Sequence, residues 1–169
     1  RIIEEGLCGR TTVFHDEFRS GRCGIDAIGD IVEIYNPINI LIIMLGTNDC
    51  KTRYGASAKV IAKGLEQVIN RAIDKSTNDF KLFVISPIHL GKNIGEQGYD
   101  PEFDDKSENI SSQLSDEYRR VADKYKGLFL DASAIAKPSE TDREHLNENE
   151  HRSLSEAIYH KIKQYNIKN

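Results

Sequence analysis

The sequence has few of the residues that mark disulfide-bonded, metal-binding or membrane proteins. Its three cysteines, Cys8, Cys23 and Cys50, are odd in number and lack Cys-x-x-Cys spacing, which argues against a disulfide framework and a zinc site. No apolar run is long enough to cross a bilayer. No Gly-x-Gly-x-x-Gly or Walker loop occurs, which disfavours a nucleotide-binding module. We therefore predict no metal, no organic cofactor and no membrane span.

An excess of charge of one sign is also missing. The chain has 23 Lys and Arg against 27 Asp and Glu, for a net charge of −4. Basic residues are scattered among acidic ones, so we expect no nucleic-acid partner. A length of 169 residues, 38% of them hydrophobic, suits a single domain over residues 1–169. Three free thiols make a reducing, cytoplasmic setting the default prediction, and a homo-oligomer is compatible with this composition.

Apolar periodicity predicts alternating strands and helices. Short apolar runs indicate buried strands, and a three-to-four spacing of apolar residues indicates amphipathic helices. Stretches rich in Gly and polar residues predict a surface loop over 13–30 and a mobile loop over a site at 91–106. The predicted strands are 1–7, 39–45, 81–85 and 128–131, and the predicted helices are 25–35, 56–75, 107–125 and 148–165.

This order of elements predicts the fold class. Strands that alternate with helices pair in parallel through right-handed crossovers, which gives a three-layer α/β/α sandwich with a central parallel sheet. Ligands bind at the carboxyl edge of such sheets. The polar clusters of the sequence follow the predicted strands, so we expect one site built from distant segments.

The most informative motif is the polar segment 46–49, Gly-Thr-Asn-Asp, which ends the apolar run 40–43. Asn48 in this position can donate a neutral amide N–H to a developing anion, as an oxyanion hole requires. An asparagine after a strand is also a common turn former. Spacing alone leaves both interpretations of Asn48 open.

A second motif near the other end pairs an acid with a histidine. His145 is the best candidate for a general base, because Asp142 three residues earlier can hold its imidazole in one tautomer. The alternative is that Asp142 caps the turn into the last helix and His145 is merely exposed. Gly9, in the loop 8–12, either allows the backbone to turn tightly beside the site or is an ordinary turn glycine.

These segments together resemble a known family. Residues 8–12 (Cys-Gly-Arg-Thr-Thr), then 46–49, then Asp142-x-x-His145 are similar to three of the four blocks of the SGNH (GDSL-type) esterase/lipase family. Within it, the residues Glu-Glu-Gly-Leu before Cys8 resemble the bacterial arylesterase and acyltransferase branch, which usually has Ser at the position of Cys8. The resemblance covers nearly the whole chain and implies a flavodoxin-like α/β/α fold.

The resemblance also implies roles for four residues. Gly9 would give a backbone N–H and Asn48 its side-chain amide to the oxyanion hole. His145 would be the general base and Asp142 its orienting acid. Asp49 would hydrogen-bond to the backbone of the loop and keep the Asn48 amide oriented toward the oxyanion hole.

One block of the family is absent. No Gly-Asp-Ser occurs; the only Gly-Asp, Gly29-Asp30, is followed by Ile31. In the family this block ends the first strand, which lies between the second and third strands, and it carries the nucleophilic serine. We therefore expect the first strand and its helix to lie upstream of residue 1. Ser86 and Cys8 are the substitutes that the sequence offers.

The resemblance predicts a serine esterase that cleaves small, short-acyl esters, and deacetylation of a sugar or aryl ester is the favoured substrate class. The alternative is a non-catalytic ester- or carbohydrate-binding domain that lacks the nucleophile. A doubly wound phosphate- or nucleotide-binding module is the third and least favoured reading.

Overall fold

The computed structural model describes residues 1–168 and the side chains of residues 1–165; Asn169, the last residue of the predicted domain, lies outside the described residues. Within this part the chain forms three strands and four α-helices joined by loops and short 3₁₀ turns. In chain order they are α1 (Gly24–Tyr35), β1 (Ile40–Ile43), α2 (Ala58–Lys75), β2 (Lys81–Ser86), α3 (Asp105–Lys124), β3 (Leu128–Asp131) and α4 (Glu148–Lys168).

The strands form one parallel sheet in the order β1-β2-β3. Ile42 pairs with Phe83, and Val84 pairs with Phe129 in the next strand. The central strand β2 is buried along nearly its whole length, as the apolar run 82–85 predicts. Because α2 and α3 each connect one strand to the next, all three strands end at the same edge of the sheet.

Each face of the sheet has its own apolar core. Leu82 and Val84 pack into a large cluster with residues of α1, α2 and α3. Phe83 and Ile85, which alternate with them, pack on the opposite face against a smaller cluster that includes Leu154 of α4. Alternate side chains of a strand point to opposite faces, so helices cover the sheet on both sides. The predicted three-layer α/β/α sandwich is confirmed.

Local signals explain where the long helices begin. The Ser57 hydroxyl accepts a hydrogen bond from the Val60 N–H at the start of α2. Asp104 and Ser107 form a reciprocal capping box at the start of α3. Among the described residues, no helix is both long and apolar enough to cross a membrane.

Residues 1–7 differ from the prediction, because they form no strand in the structure. Ile2 is 89% exposed and Ile3 is 40% exposed. A strand is held by hydrogen bonds to a neighbouring strand, and these residues lie across an open cavity from β1. The predicted surface loop 13–30 is also too long, since α1 already begins at Gly24.

Other bounds are close to those predicted. The strand predicted over 39–45 is shorter and covers Ile40–Ile43, because the chain then turns toward Gly46, whose φ is +122°. Alanine at this position would force its Cβ atom against the hydroxyl oxygen of buried Tyr118. The Tyr118 hydroxyl donates to the carbonyl oxygen of Leu45 at 2.9 Å. Gly46 therefore lets the chain leave the strand close beside α3.

Candidate active site

A buried carboxylate joins two of the predicted site segments. Asp49 is fully buried, and its two oxygens accept the Thr12 backbone N–H at 3.0 and 3.1 Å. The Thr12 hydroxyl also donates to Asp49. The predicted contact of Asp49 with loop backbone is therefore present, and it holds the loop 8–12 against the end of β1.

Asn48 and Gly9 lie at this junction. The Asn48 amide nitrogen donates one N–H to the Arg10 carbonyl oxygen at 3.3 Å. Its second N–H remains for another acceptor, since an amide group carries two donors. Gly9 has a φ of +83°, a conformation that favours glycine. Both residues line the same cavity.

Asp142 and His145 form the predicted pair. The Nδ1 atom of His145 lies 2.9 Å from Oδ2 of Asp142. The other oxygen, Oδ1, accepts the Ser139 hydroxyl and the backbone N–H groups of Glu144 and His145 at 2.9 to 3.0 Å. Asp142 therefore caps its own turn with one oxygen and contacts the imidazole with the other.

The charge on Asp142 follows from these contacts. Partial burial raises the pKa of the Asp142 carboxyl, but the four donors around it outweigh burial and hold the pKa at about 2. The carboxylate is therefore ionised throughout the neutral range. The His145 side chain is 63% exposed, so its ring is accessible from solvent.

The loop that carries Asp142 and His145 is held in place by contacts with residues 91–104, which we call the strap. The Arg143 guanidinium stacks on the Tyr99 ring at 4.1 Å and donates to the Asn93 carbonyl oxygen at 2.8 Å. The Gly91 N–H donates to the Arg143 carbonyl oxygen at 2.7 Å. Farther along, the Glu102 carbonyl oxygen accepts the Thr52 N–H at 2.8 Å. The strap thus connects the His145 loop to the loop that follows Asn48.

These contacts differ from the mobile loop predicted over 91–106. Ile94 and Phe103 are buried in the main core, and Glu102 accepts the buried Lys51 ammonium at 2.6 Å. Apolar anchors and a partly buried ion pair hold the segment at both ends. Its Gly-rich composition is typical of a mobile loop, and only the tertiary contacts show the anchoring.

One cavity of about 1720 Å³ brings the candidate residues together. Gly9, Asn48 and His145 all line it, while Asp142 is not among its lining residues and contacts the ring of His145. Its remaining wall is largely apolar and runs along the free edge of β1, where Ile42 is 41% exposed. In the described part of the chain, β1 pairs only with β2.

The polar end of the cavity also contains charged groups that the sequence patterns did not reveal. Glu144 and Lys51 both line it, and one Glu144 oxygen lies 3.9 Å from His145 Nδ1. Burial raises the pKa of Glu144, and the nearby Asp100 carboxylate raises it further. Glu144 directly precedes His145, but no spacing rule predicts that its side chain faces the cavity.

The substitutes for a missing nucleophile fare differently. Ser86 is fully buried, and its hydroxyl donates to Asp131 at 3.1 Å, so it does not reach the cavity. Cys8 is exposed and lines the cavity beside Gly9. Among the described residues, no hydroxyl or thiol hydrogen-bonds the His145 ring.

Comparisons with known proteins identify the family of this chain. The model of the GDSL-like lipase/acylhydrolase family matches residues 1–154. A crystal structure with 32% identity superposes with a TM-score of 0.93, covering 98% of this chain and 77% of that chain. The M. smegmatis aryl esterase has 25% identity and a TM-score of 0.90, with 97% and 78% covered. Est24, a carbohydrate acetylesterase from Sinorhizobium meliloti, has 26% identity and a TM-score of 0.86, with 96% and 78% covered.

A comparison of the sequence with curated proteins gives no match. The fold and the structural neighbours nevertheless define the class, a carboxylic ester hydrolase built on an α/β/α sandwich. The chain belongs to the GDSL-like lipase/acylhydrolase family. The predicted family and fold are therefore confirmed.

Proposed function

We propose that this protein is a serine esterase for small, short-acyl esters, in which His145 is the general base. The observation that carries the proposal is the 2.9 Å contact between His145 Nδ1 and the ionised Asp142. A carboxylate at Nδ1 fixes the tautomer that leaves Nε2 free to accept the proton of a nucleophile. It also stabilises the imidazolium that forms when the nucleophile attacks.

The same proposal assigns the oxyanion hole to Gly9 and Asn48. The Asn48 amide is oriented by the Arg10 carbonyl, which leaves one N–H for the substrate. The Gly9 backbone N–H lies on the loop that Asp49 holds against Asn48. Donors fixed before the reaction stabilise the tetrahedral oxygen without reorganising, and each is worth about 3 kcal/mol of barrier.

The nucleophile in this proposal is a serine that reaches the cavity on a further strand N-terminal to residue 1. Among residues 1–168, no strand pairs with the edge of β1 that faces away from β2. The apolar wall beside this edge includes Ile42 and Met44, which are 41% and 38% exposed. A parallel strand in this space would pair with β1 and cover these side chains. Its carboxyl end would lie at the same sheet edge as Asn48.

The proposed reaction is acyl transfer in two steps. The serine hydroxyl attacks the ester carbonyl as His145 takes its proton, and His145 then gives this proton to the leaving alcohol. Water deacylates the serine in the second step with His145 again as base. The substrate class, an acetyl ester of a sugar or of an aryl alcohol, is supported by two structural neighbours, an aryl esterase and a carbohydrate acetylesterase.

The test is covalent labelling of the intact protein, including whatever precedes Arg1. A fluorophosphonate probe followed by peptide mass spectrometry should label one serine N-terminal to residue 1, with concurrent loss of p-nitrophenyl acetate hydrolysis. The 169-residue chain alone should stay unlabelled. A label on Ser86 would refute the proposed nucleophile. A His145→Ala variant that keeps both labelling and hydrolysis would refute the proposed base.

A further inference from the structure

A histidine, a cysteine and an aspartate converge outside the candidate active site. The ligand atoms of His15, Cys23 and Asp26 all lie within 4.8 Å of one another. His15 Nδ1 is 3.6 Å from one Asp26 oxygen, and the Cys23 sulfur lies within 4.8 Å of the ligand atoms of both other residues. None of the three residues lines the cavity that contains Asn48 and His145.

The separation of the His15 and Asp26 ligand atoms is close to that in a tetrahedral metal site. Zinc binds imidazole nitrogen and carboxylate oxygen at about 2.0–2.2 Å, which places these two ligand atoms about 3.4 Å apart in a tetrahedron. The observed separation of His15 Nδ1 and Asp26 Oδ2 is 3.6 Å. Binding would also draw the Cys23 sulfur, which lies within 4.8 Å of the other two ligand atoms, toward the same ion and leave the fourth position open to water.

The backbone on both sides of His15 is anchored. Phe14 stacks on the Tyr54 ring with centroids 4.8 Å apart. Asp16 is buried and accepts the Arg53 guanidinium at 3.1 Å. Because both neighbours of His15 are held in place, little backbone entropy is lost when the imidazole binds a ligand.

The segment that carries Cys23 is equally well fixed. Thr11 and Cys23 form an isolated parallel bridge, in which the Thr11 N–H donates to the Arg22 carbonyl at 3.0 Å and the Gly24 N–H donates to the Thr11 carbonyl at 3.1 Å. Cys23 is buried, and Asp26 follows it in the first turn of α1. The three ligands therefore come from two segments that the fold already holds together.

We propose that His15, Cys23 and Asp26 form a binding site for Zn²⁺. A mixed nitrogen, sulfur and oxygen set of this kind suits zinc better than magnesium or calcium, which take oxygen ligands. When the ion binds, the sulfur–zinc bond forms and the thiol proton leaves to solvent. The bound ion would tie the loop 13–22 to the first turn of α1.

A simpler account assigns each residue a local role. Asp26 in the first turn of α1 is stabilised by the helix dipole without any metal, and Cys23 precedes the first helical residue as its N-cap. In that account His15 makes only a surface contact with Asp26. It predicts no metal affinity, whereas a zinc site needs all three side chains. The two accounts therefore differ in a direct binding experiment.

The experiment titrates the chelator-treated, reduced intact protein with Co²⁺ and records its absorption spectrum. A cysteine ligand gives a thiolate-to-cobalt charge-transfer band, and tetrahedral coordination gives intense visible bands. Both should appear and then disappear when Zn²⁺ is added. Absence of the charge-transfer band in the wild-type chain would overturn the proposal. The experiment needs no esterase activity, so the proposed function does not affect its outcome.

Matched variants assign the ligands. Cys23→Ser should abolish the charge-transfer band, while Cys8→Ser, a change at an exposed cysteine, should retain it. His15→Gln and Asp26→Asn change exposed side chains and should weaken binding at least about tenfold, since even outer-shell changes cost this much. Asp30→Asn, on the exposed face of the same helix, should bind like wild type. Equal binding by Asp26→Asn and Asp30→Asn, or by His15→Gln and wild type, would contradict the assigned site.

A second readout covers the chance that Cys23→Ser folds poorly. Zn²⁺ should raise the melting temperature of the wild-type chain, since a ligand that binds only the folded state stabilises it. His15→Gln keeps the buried thiol and should show a much smaller rise. A rise of the same size in His15→Gln would overturn the proposal.

Discussion

The Asp49 carboxylate accepts both the backbone N–H and the hydroxyl of Thr12, deep in the interior at the carboxyl edge of the sheet. This contact joins two segments 37 residues apart in sequence. It brings the loop of Gly9 against the turn of Asn48, so the two proposed oxyanion donors share one buried anchor. Burial raises the pKa of Asp49 to about 6, although the hydrogen bonds from Thr12 lower it.

The first prediction concerns the pH dependence of stability. A carboxyl with a raised folded-state pKa favours folding while it is protonated, so its contribution is fully present below the unfolded pKa of 3.8 and is lost as pH rises through about 6. The change amounts to about 3 kcal/mol. Asp49→Asn should remove this part of the curve of unfolding free energy against pH, measured by urea denaturation. Asp74→Asn, at an exposed site in α2, should leave the curve unchanged, and an unchanged curve in Asp49→Asn would contradict the assignment.

The second prediction concerns Asp142. In Asp142→Asn the amide can no longer hold the catalytic tautomer of His145, and kcat of the intact esterase should fall about ten-thousandfold. Stability provides an independent check at acid pH. The folded pKa of about 2 lies below the ordinary 3.8, so the stabilisation by Asp142 is present above pH 3.8 and is lost as pH falls through about 2. In Asp142→Asn this loss of unfolding free energy at acid pH should be absent. If the loss remains, another group causes it.

The third prediction concerns Asn48. Asn48→Ala should lower kcat of the intact protein about a hundredfold to a thousandfold with little change in KM, because the amide acts on the developing oxyanion. The measurement is steady-state hydrolysis of p-nitrophenyl acetate. A raised KM with unchanged kcat would instead assign Asn48 to substrate binding.

The fourth prediction concerns Arg143 as a positioning residue. Arg143→Ala removes the stack on Tyr99 and the hydrogen bond to Asn93, so the loop of Asp142 and His145 loses its attachment to the strap. We expect kcat to fall about tenfold to a hundredfold, since small displacements of a catalytic group cost this much, while KM stays nearly constant. Arg143→Lys keeps the charge near Glu96 and should recover only part of the loss. Full recovery with Lys would show that charge alone matters.

The fifth prediction concerns packing at Gly46. Gly46→Ala forces a Cβ atom against the Tyr118 hydroxyl at a positive φ, and it should destabilise the fold by about 3 kcal/mol. Tyr118→Phe removes the hydroxyl, so Gly46→Ala should cost clearly less in that background. A double-mutant cycle by urea denaturation measures this coupling, and additive effects would contradict the contact.

The sequence predicts the strands β1, β2 and β3 well, because continuous apolar runs are typical of buried parallel strands. It also brings Asn48, Asp142 and His145 to one edge, since the chain order of strands and helices places every carboxyl end together. It fails for residues 1–7, because an apolar run becomes a strand only when a neighbour supplies hydrogen bonds.

The remaining features of the site depend on tertiary contacts that no local pattern encodes. Arg143 contacts Tyr99, which lies 44 positions earlier in the sequence. His15 contacts Asp26 in a region where Thr11 bridges to Cys23. The Asp142 and His145 spacing indicates an acid–base pair, but the structure is needed to show that one carboxylate can cap its turn and face the imidazole together.

The most direct test of the proposed mechanism is the kcat/KM of the intact protein with His145→Ala, compared with His151→Ala as control. Both histidines line the same cavity, but only His145 contacts Asp142. We predict at least about a thousandfold loss of ester hydrolysis for His145→Ala and near wild-type hydrolysis for His151→Ala. Comparable hydrolysis by the two variants would contradict the assignment of His145 as the general base.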